Sequence, residues 1–186
     1  MRLVRLAAAA LALAVPVALS AAVPVGTKAA DFTTRGAMAG KVVPVHLDAL
    51  LKKGPVVLYF FPAAFTGGCN AEAHAFAEAI NDFKAAGATV IGMSTDPVDV
   101  LQRFSTEKCA GQFAVASAGP AVVSGYDVAF PKQIPGPDGK LRSITSRTSY
   151  VIARDGRIAF VHSDMNAAEH VTRTLAAVRQ LAPAAH

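Results

Sequence analysis

The segment Val56-Val-Leu-Tyr-Phe-Phe61, bounded by Gly54-Pro55 and Pro62, is an unbroken run of apolar β-branched and aromatic residues. It shows no alternation of polar and apolar positions, so a strand here has to be buried on both faces, with layers above and below its sheet. From Asn70 to about Ala86 the period changes: Ala73, Phe76, Ala77, Ile80 and Phe83 recur at helical spacing, and Gly87 is a plausible stop. Ala88-Thr-Val-Ile-Gly-Met93 follows as a second buried strand. Strand, helix and strand in this order form a βαβ unit with two parallel strands and a crossover. The remaining elements have to build on that unit.

Asp96 reads as a helix N-cap with Pro97 at the first helical position. Val98, Leu101 and Phe104 give that helix an inner face, and it is expected to run to Cys109 and end at Gly111. Phe113–Ala116 is a short strand, Ala121–Val128 a short helix, and residues 130–146 a long loop. Ser149–Ala153 and Arg157–His162 flank Asp155-Gly156, a hairpin signal. Asn166-Ala-Ala-Glu169 has the pattern of a capping box before a last helix with Val171, Leu175, Val178 and Leu181 on one face. Between Phe32 and Leu51 a hairpin around Gly36–Gly40 and a short helix at Leu47–Lys52 are expected. With no internal repeat and no linker, residues 23–186 read as one α/β domain with a central mixed sheet flanked by helices.

Residues 1–22 stand apart. Arg2 and Arg5 precede an apolar stretch from Leu6 to Leu19, and small residues follow at Ser20, Ala21 and Ala22, the arrangement of a secretory signal peptide. The stretch contains Pro16 and falls short of the ~20 apolar residues that span a bilayer. A periplasmic or secreted protein is therefore expected, with no membrane attachment after cleavage. The whole chain carries 18 Lys+Arg against 13 Asp+Glu, a net charge of +5. Apart from Lys52-Lys53 the basic residues are scattered and do not interleave with aromatics, which argues against nucleic-acid binding. Two cysteines, Cys69 and Cys109, are too few for a four-thiolate metal site but enough for one disulfide in an oxidising compartment.

The chemistry concentrates in Pro62-Ala-Ala-Phe-Thr66-Gly-Gly-Cys69, between the first buried strand and its helix. Open α/β sheets place their sites at such carboxyl ends of parallel strands. With Thr66 near the N-cap, Cys69 falls in the first turn, where free backbone N–H groups and the helix dipole favour a thiolate. Gly67 and Gly68 leave room beside the sulfur for backbone donors to approach a small polar ligand. Cys109 lies at the opposite end of its helix, where the dipole disfavours a thiolate, so Cys69 is the better nucleophile. Taken alone, either cysteine could equally be a small buried hydrophobe. His74, five residues beyond Cys69, is rotated roughly 140° from it and reads as a surface residue. His162, Asp164 and His170 lack metal-ligand spacing, and His46 and His186 are isolated, so no metal is expected.

Pro62-x-x-x-Thr66-x-x-Cys69 after an apolar strand resembles the active-site signature of peroxiredoxins. Val25-Gly-Thr-Lys-Ala-Ala-Asp31-Phe32 is similar to the family's opening segment, and Glu72 to its acidic residue three after the reactive cysteine. Arg147-Thr-Ser-Tyr-Val-Ile152 with Asp155-Gly156 resembles the stretch that supplies the family's active-site arginine. The bacterioferritin-comigratory (Q-type) subgroup is the nearest in pattern. His74 stands where many of its members carry a resolving cysteine, and Cys109 falls in the third helix, where others carry it. The resemblance implies a thioredoxin-like fold and a thiol-dependent peroxidase acting on hydrogen peroxide or organic hydroperoxides. It implies Cys69 as the peroxidatic cysteine, with Thr66, Arg147 and Pro62 around it and Arg142 as the fallback arginine. It further implies Cys109 as resolving cysteine, a thioredoxin-like dithiol reductant, no cofactor, and a monomer or weak dimer. The competing readings are a periplasmic thioredoxin-fold disulfide oxidoreductase or copper-handling thiol protein, against which the absence of Cys-x-x-Cys and Cys-x-x-x-Cys weighs, and a binding module without chemistry.

Overall fold

A computed structural model describes residues 22–136 and 139–181; the expected signal peptide, apart from Ala22, lies outside them. The first hairpin comprises β1 (Thr33–Met38) and β2 (Lys41–His46), turning at Ala39 and Gly40, both with positive φ, and α1 (Leu47–Leu51) follows. The βαβ unit is β3 (Val56–Phe60), α2 (Gly67–Glu78), α3 (Ile80–Ala85) and β4 (Thr89–Ser94). Next come α4 (Val98–Glu107), β5 (Ala114–Ser117) and α5 (Pro120–Gly125). The expected long loop holds a two-residue ribbon, β6 (Ile134–Pro135) with β7 (Leu141–Arg142), before β8 (Thr148–Ile152), β9 (Ile158–Ser163) and α6 (His170–Leu181).

Seven strands form one mixed sheet in the order β2-β1-β5-β4-β3-β8-β9. β3 is parallel to β4, and β4 to β5, while β8 runs antiparallel to β3 and to β9. Every residue of β3 is buried, as its unbroken apolar run requires. Its alternate side chains feed two cores. Val56, Leu58 and Phe60 pack with Leu47, Leu51 and Tyr126 on one face, whereas Val57, Tyr59 and Phe61 pack with Phe76, Phe83, Phe104 and Val178 on the other. Among the described residues, no helix is long and apolar enough to cross a membrane.

Four expected boundaries differ. The helix after Cys69 breaks at Ala79 (φ −85°, ψ 0°), yet Phe76, Ile80 and Phe83 all stay buried, so the break keeps the apolar stripe on the sheet. Pro97, not Asp96, occupies the N-cap of α4, because the Asp96 carboxylate is engaged elsewhere. That helix stops at Glu107, and Cys109 lies beyond it in a turn that closes with Ala110 and Gly111, both at positive φ. The Asn166…Glu169 capping box does not form either. Asn166 Oδ1 accepts from the Ala168 amide, Glu169 pairs with Arg173, and α6 begins only at His170.

Candidate active site

The chain leaves β3 through the buried Pro62 and reverses at Phe65, whose φ of +66° is unusual for a bulky residue. The turn is held from two sides. Asp96 accepts from the Ala64 amide through Oδ2 (2.7 Å) and from Arg142 Nη1 through Oδ1 (2.6 Å), while the Phe65 ring meets Phe104 edge-on with Arg103 above it. Thr66 has extended N-cap geometry (φ −84°, ψ 151°), so α2 opens at Gly67 and Cys69 falls in its first turn. The Thr66 hydroxyl does not cap the helix. It donates to Ala63 O (3.0 Å), which leaves its lone pairs free of that bond. Cys69 is buried and carries a free thiol.

Arg147 arrives from the strand beside β3. Because β8 is antiparallel to β3, with Thr148 opposite Phe60, the residue just before β8 reaches the end of β3 where α2 begins. Three nitrogens of its guanidinium have separate acceptors: Nε donates to Met165 O (3.0 Å), Nη1 to Glu72 Oε2, and Nη2 reaches Cys69 Sγ at 3.5 Å. Glu72, one turn after Cys69, lies on the same helical face. Burial opposes the charge on Arg147, but Glu72 and Cys69 outweigh it and hold the guanidinium above its ordinary value. Burial pushes the Glu72 carboxyl up to about 7 against the pull of Arg147. A Cβ on Gly68 would lie 3.2 Å from Arg147 Nη2, close enough to press on it, whereas a Cβ on Gly67 would meet nothing within 4 Å.

Pro62, Thr66, Cys69, Glu72 and Arg147 thus converge at one end of β3. Cys109 shares the apolar layer of Cys69 but sits past the end of α4 as a free thiol, and burial pushes it up to about 12. Arg142, the fallback, turns instead to Asp96, with no bond to the sulfur. His74 is exposed and pairs with Glu78 one turn on (3.3 Å). His46 is not isolated in space: its Nε2 lies 3.1 Å from Asp31 Oδ2, beside Asp48, in an exposed cluster. Sequence reasoning missed Asp96, Met165, Ser149, His170 and Tyr59. Ser149 alone had a usable signal, because residues two apart on a strand share a face and Arg147 was already placed. The Tyr59 hydroxyl is fully buried and, among the described residues, has no hydrogen-bond partner.

Residues 25–161 match the AhpC/TSA family. The chain is 30% identical over 139 residues to the chloroplastic peroxiredoxin Q of Sedum lineare, an alignment covering 74% of this chain and 70% of that one. Among solved structures, the peroxidoxin BcpB of Mycobacterium tuberculosis superimposes with a TM-score of 0.72 at 32% identity, covering 84% of this chain and 97% of that one. The bacterioferritin comigratory protein of Xanthomonas campestris, studied for its alkyl peroxide reduction activity, does so with a TM-score of 0.66 at 25% identity, covering 80% and 92%.

Proposed function

Because the chain belongs to the AhpC/TSA family of peroxiredoxins and is a thiol-dependent peroxidase of thioredoxin-like fold, we propose that Cys69 is the thiol that meets the peroxide. The observation that carries this reading is the guanidinium nitrogen of Arg147 at 3.5 Å from Cys69 Sγ. That contact places a charged donor at the sulfur, whose thiolate form is the nucleophile. The thiolate attacks one peroxide oxygen; the S–O bond forms, the O–O bond breaks, and the leaving oxygen takes a proton as water or alcohol. Arg147 and the backbone amides at the start of α2 are the donors available to orient the peroxide and stabilise charge on the leaving oxygen, while the Thr66 hydroxyl, whose hydrogen goes to Ala63 O, offers a lone pair to the peroxide O–H. In this reading Pro62, buried where the chain leaves β3, shapes and shields the site of attack.

Cys69 is left as a sulfenic acid, which condenses with the Cys109 thiol to a disulfide and one water. An external thioredoxin-like dithiol then restores both thiols by exchange and is itself oxidised. Hydrogen peroxide and organic hydroperoxides are the substrates of this reading. Its setting is periplasmic or secreted, which rests on the Arg2/Arg5 and Leu6–Leu19 pattern, and its form is a monomer or weak dimer. The test is peptide mass mapping of the reduced protein after one equivalent of hydrogen peroxide. A peptide pair joined through Cys69 and Cys109 is expected, and Cys69→Ser should abolish turnover with a dithiol. Full turnover in Cys69→Ser would sink the assignment of the nucleophile, and overoxidised Cys69 without the joined pair would sink that of Cys109.

A further inference from the structure

Behind Arg147 lies a second buried polar layer that the peroxidase chemistry does not use. Glu72 Oε2 accepts from Arg147, but Oε1 is buried and, among the described residues, receives no hydrogen bond. It faces Nδ1 of His170 at 3.8 Å. His170 is fully buried at the start of α6; its Nε2 is 2.9 Å from Asp164 O, and its Nδ1 is 2.8 Å from Ser149 Oγ. A carbonyl only accepts, so Nε2 carries the hydrogen, and Nδ1 of the neutral ring is a lone pair to which Ser149 donates. With Glu72 ionised and His170 neutral, the Oε1 and Nδ1 lone pairs oppose each other in a site closed to water. One proton on either atom removes the conflict and leaves the Arg147 bond to Oε2 intact.

We propose that Glu72, Ser149 and His170 form a buried unit that holds one shared proton and thereby sets how much of the Arg147 charge is left for Cys69, which makes His170 a positioning residue of the peroxidase site. The proposal rests on the reading of Cys69 and Arg147 given above. When the unit holds its proton, Arg147 faces a single anion, the Cys69 thiolate. When the proton is lost, two anions share one guanidinium, and its hold on sulfur and peroxide weakens.

Burial directs where the proton resides: it pushes His170 down to about 4 and Glu72 up to about 7, so the proton sits on Glu72. The other charged and titratable neighbours come from every element around the pair. Cys69 stands on α2 with Glu72, Arg147 precedes β8, and the Tyr59 phenol lies on β3. His162 on β9 packs its ring 4.5 Å from that of His170 and is itself lowered by burial and by Arg173. Asp164 and Glu169 lie on the turn into α6, and Arg173 of α6 is paired with Glu169.

The test is the second-order rate constant of the reduced protein with hydrogen peroxide, measured by stopped flow across the neutral range. The native protein should lose rate on an alkaline limb near neutrality as the unit loses its proton. In His170→Gln, a side-chain amide can still donate to Asp164 O, preserving the anchor, but the Nδ1 lone pair is gone. The limb should then move down by about one pH unit, a loss of up to about tenfold in rate above it. A His170→Gln profile superimposing on the native one would overturn the proposal, since a purely structural role survives in that variant. Infrared difference spectra of the native protein give a check that needs no folded His170 variant: a protonated carboxyl band should titrate near neutrality and be absent from Glu72→Gln. Its absence from the native protein would also overturn the proposal. Turnover in Cys69→Ser separates the two levels. If that variant is dead while the His170→Gln profile is unshifted, only the shared proton fails; if it turns over, the site reading itself fails.

Discussion

Replacing Gly68 by alanine puts a methyl group 3.2 Å from Arg147 Nη2, while the same change at Gly67 meets nothing within 4 Å. The two positions are adjacent in the first turn of α2, so they share whatever alanine gains over glycine in a helix, up to about 1 kcal/mol. In a domain of this size that is about 3 °C in Tm. They differ in what the methyl group touches. Arg147 cannot easily retreat, because Nε is held by Met165 O and Nη1 by Glu72 in a buried site. The nitrogen that yields is Nη2, the one that reaches Cys69, by a few tenths of an ångström. A misplacement of about 1 Å at a reacting centre can cost ~100-fold in rate, so a shift of this size is worth about three- to tenfold.

The expected pattern is therefore Gly67→Ala with raised Tm and an unchanged rate constant for hydrogen peroxide, and Gly68→Ala with a rate constant about three- to tenfold lower. Calorimetry and stopped-flow kinetics on the reduced proteins read the two quantities separately. Equal rate constants in Gly68→Ala and the native protein would refute the argument, because the guanidinium would then be free to move without consequence. Equal losses in both variants would refute it too, by showing that the turn rather than the arginine is being perturbed.

Two further outcomes follow from buried polar groups. Tyr59→Phe keeps the ring stacked on Phe76 and removes a hydroxyl with no partner among the described residues, so it should stabilise the fold by about 1 kcal/mol, or about 3 °C by calorimetry; a lower Tm would show that the hydroxyl is satisfied. The second concerns pH. Glu72 is raised from 4.5 to about 7 in the fold, so the native state binds its proton more tightly and stability falls as pH rises between those values; His170 is lowered from 6.5 to about 4, so its contribution rises with pH over that window. The two slopes oppose each other between about pH 4.5 and 6.5, and His170→Gln should expose the Glu72 slope as a denaturation midpoint that falls, relative to the native protein, across that range. A constant difference between the two proteins would contradict it.

Much of this fold is legible because its signals are local. β3 shows as an unbroken apolar run, the β8–β9 turn as Asp155-Gly156, and the first turn of α2 as Thr66 before two glycines. The meeting of Arg147 with Cys69 came from pattern resemblance, and its physical reason, the antiparallel pairing of β8 with β3, was not readable from either segment alone. The failures share one cause. Asp96 has every local mark of an N-cap, yet the Ala64 amide and Arg142 offer it charge-assisted bonds that outweigh capping. Asn166 has the mark of a capping box and closes a smaller turn instead. Alanine is the best helix former, so nothing at Ala79 announces a break that tertiary packing imposes. His170 meets Ser149 across 21 positions and Glu72 across 98, separations at which spacing carries no information.

Closing the proposed disulfide brings the two Cα atoms within about 7 Å; both cysteines are free thiols buried in one apolar layer, so any adjustment falls on the end that yields more readily. The two ends do not resist equally. Around Cys109, the Lys108 and Cys109 amides both donate to Phe104 O, the Gly111 amide donates to Ser105 O, and the sulfur lies in the apolar core. With the Gln112 amide also donating to Cys109 O, opening that end breaks four bonds and exposes core surface. On the other side, α2 begins with Gly67 and Gly68, two poor helix formers, and is entered through Phe65 in a backbone region costing about 1–2 kcal/mol for a residue with a side chain. Unwinding the first turn breaks the hydrogen bond from the Asn70 amide to Thr66 O and takes the Cys69 sulfur off Arg147 and out of the same apolar layer, but it releases that strain, which offsets most of the loss of the Phe65 edge contact with Phe104, itself worth about 1 kcal/mol beyond area. Two glycines and a strained residue make this turn the end of the site that yields first, so in the proposed cycle Cys69 is the sulfur expected to move toward Cys109.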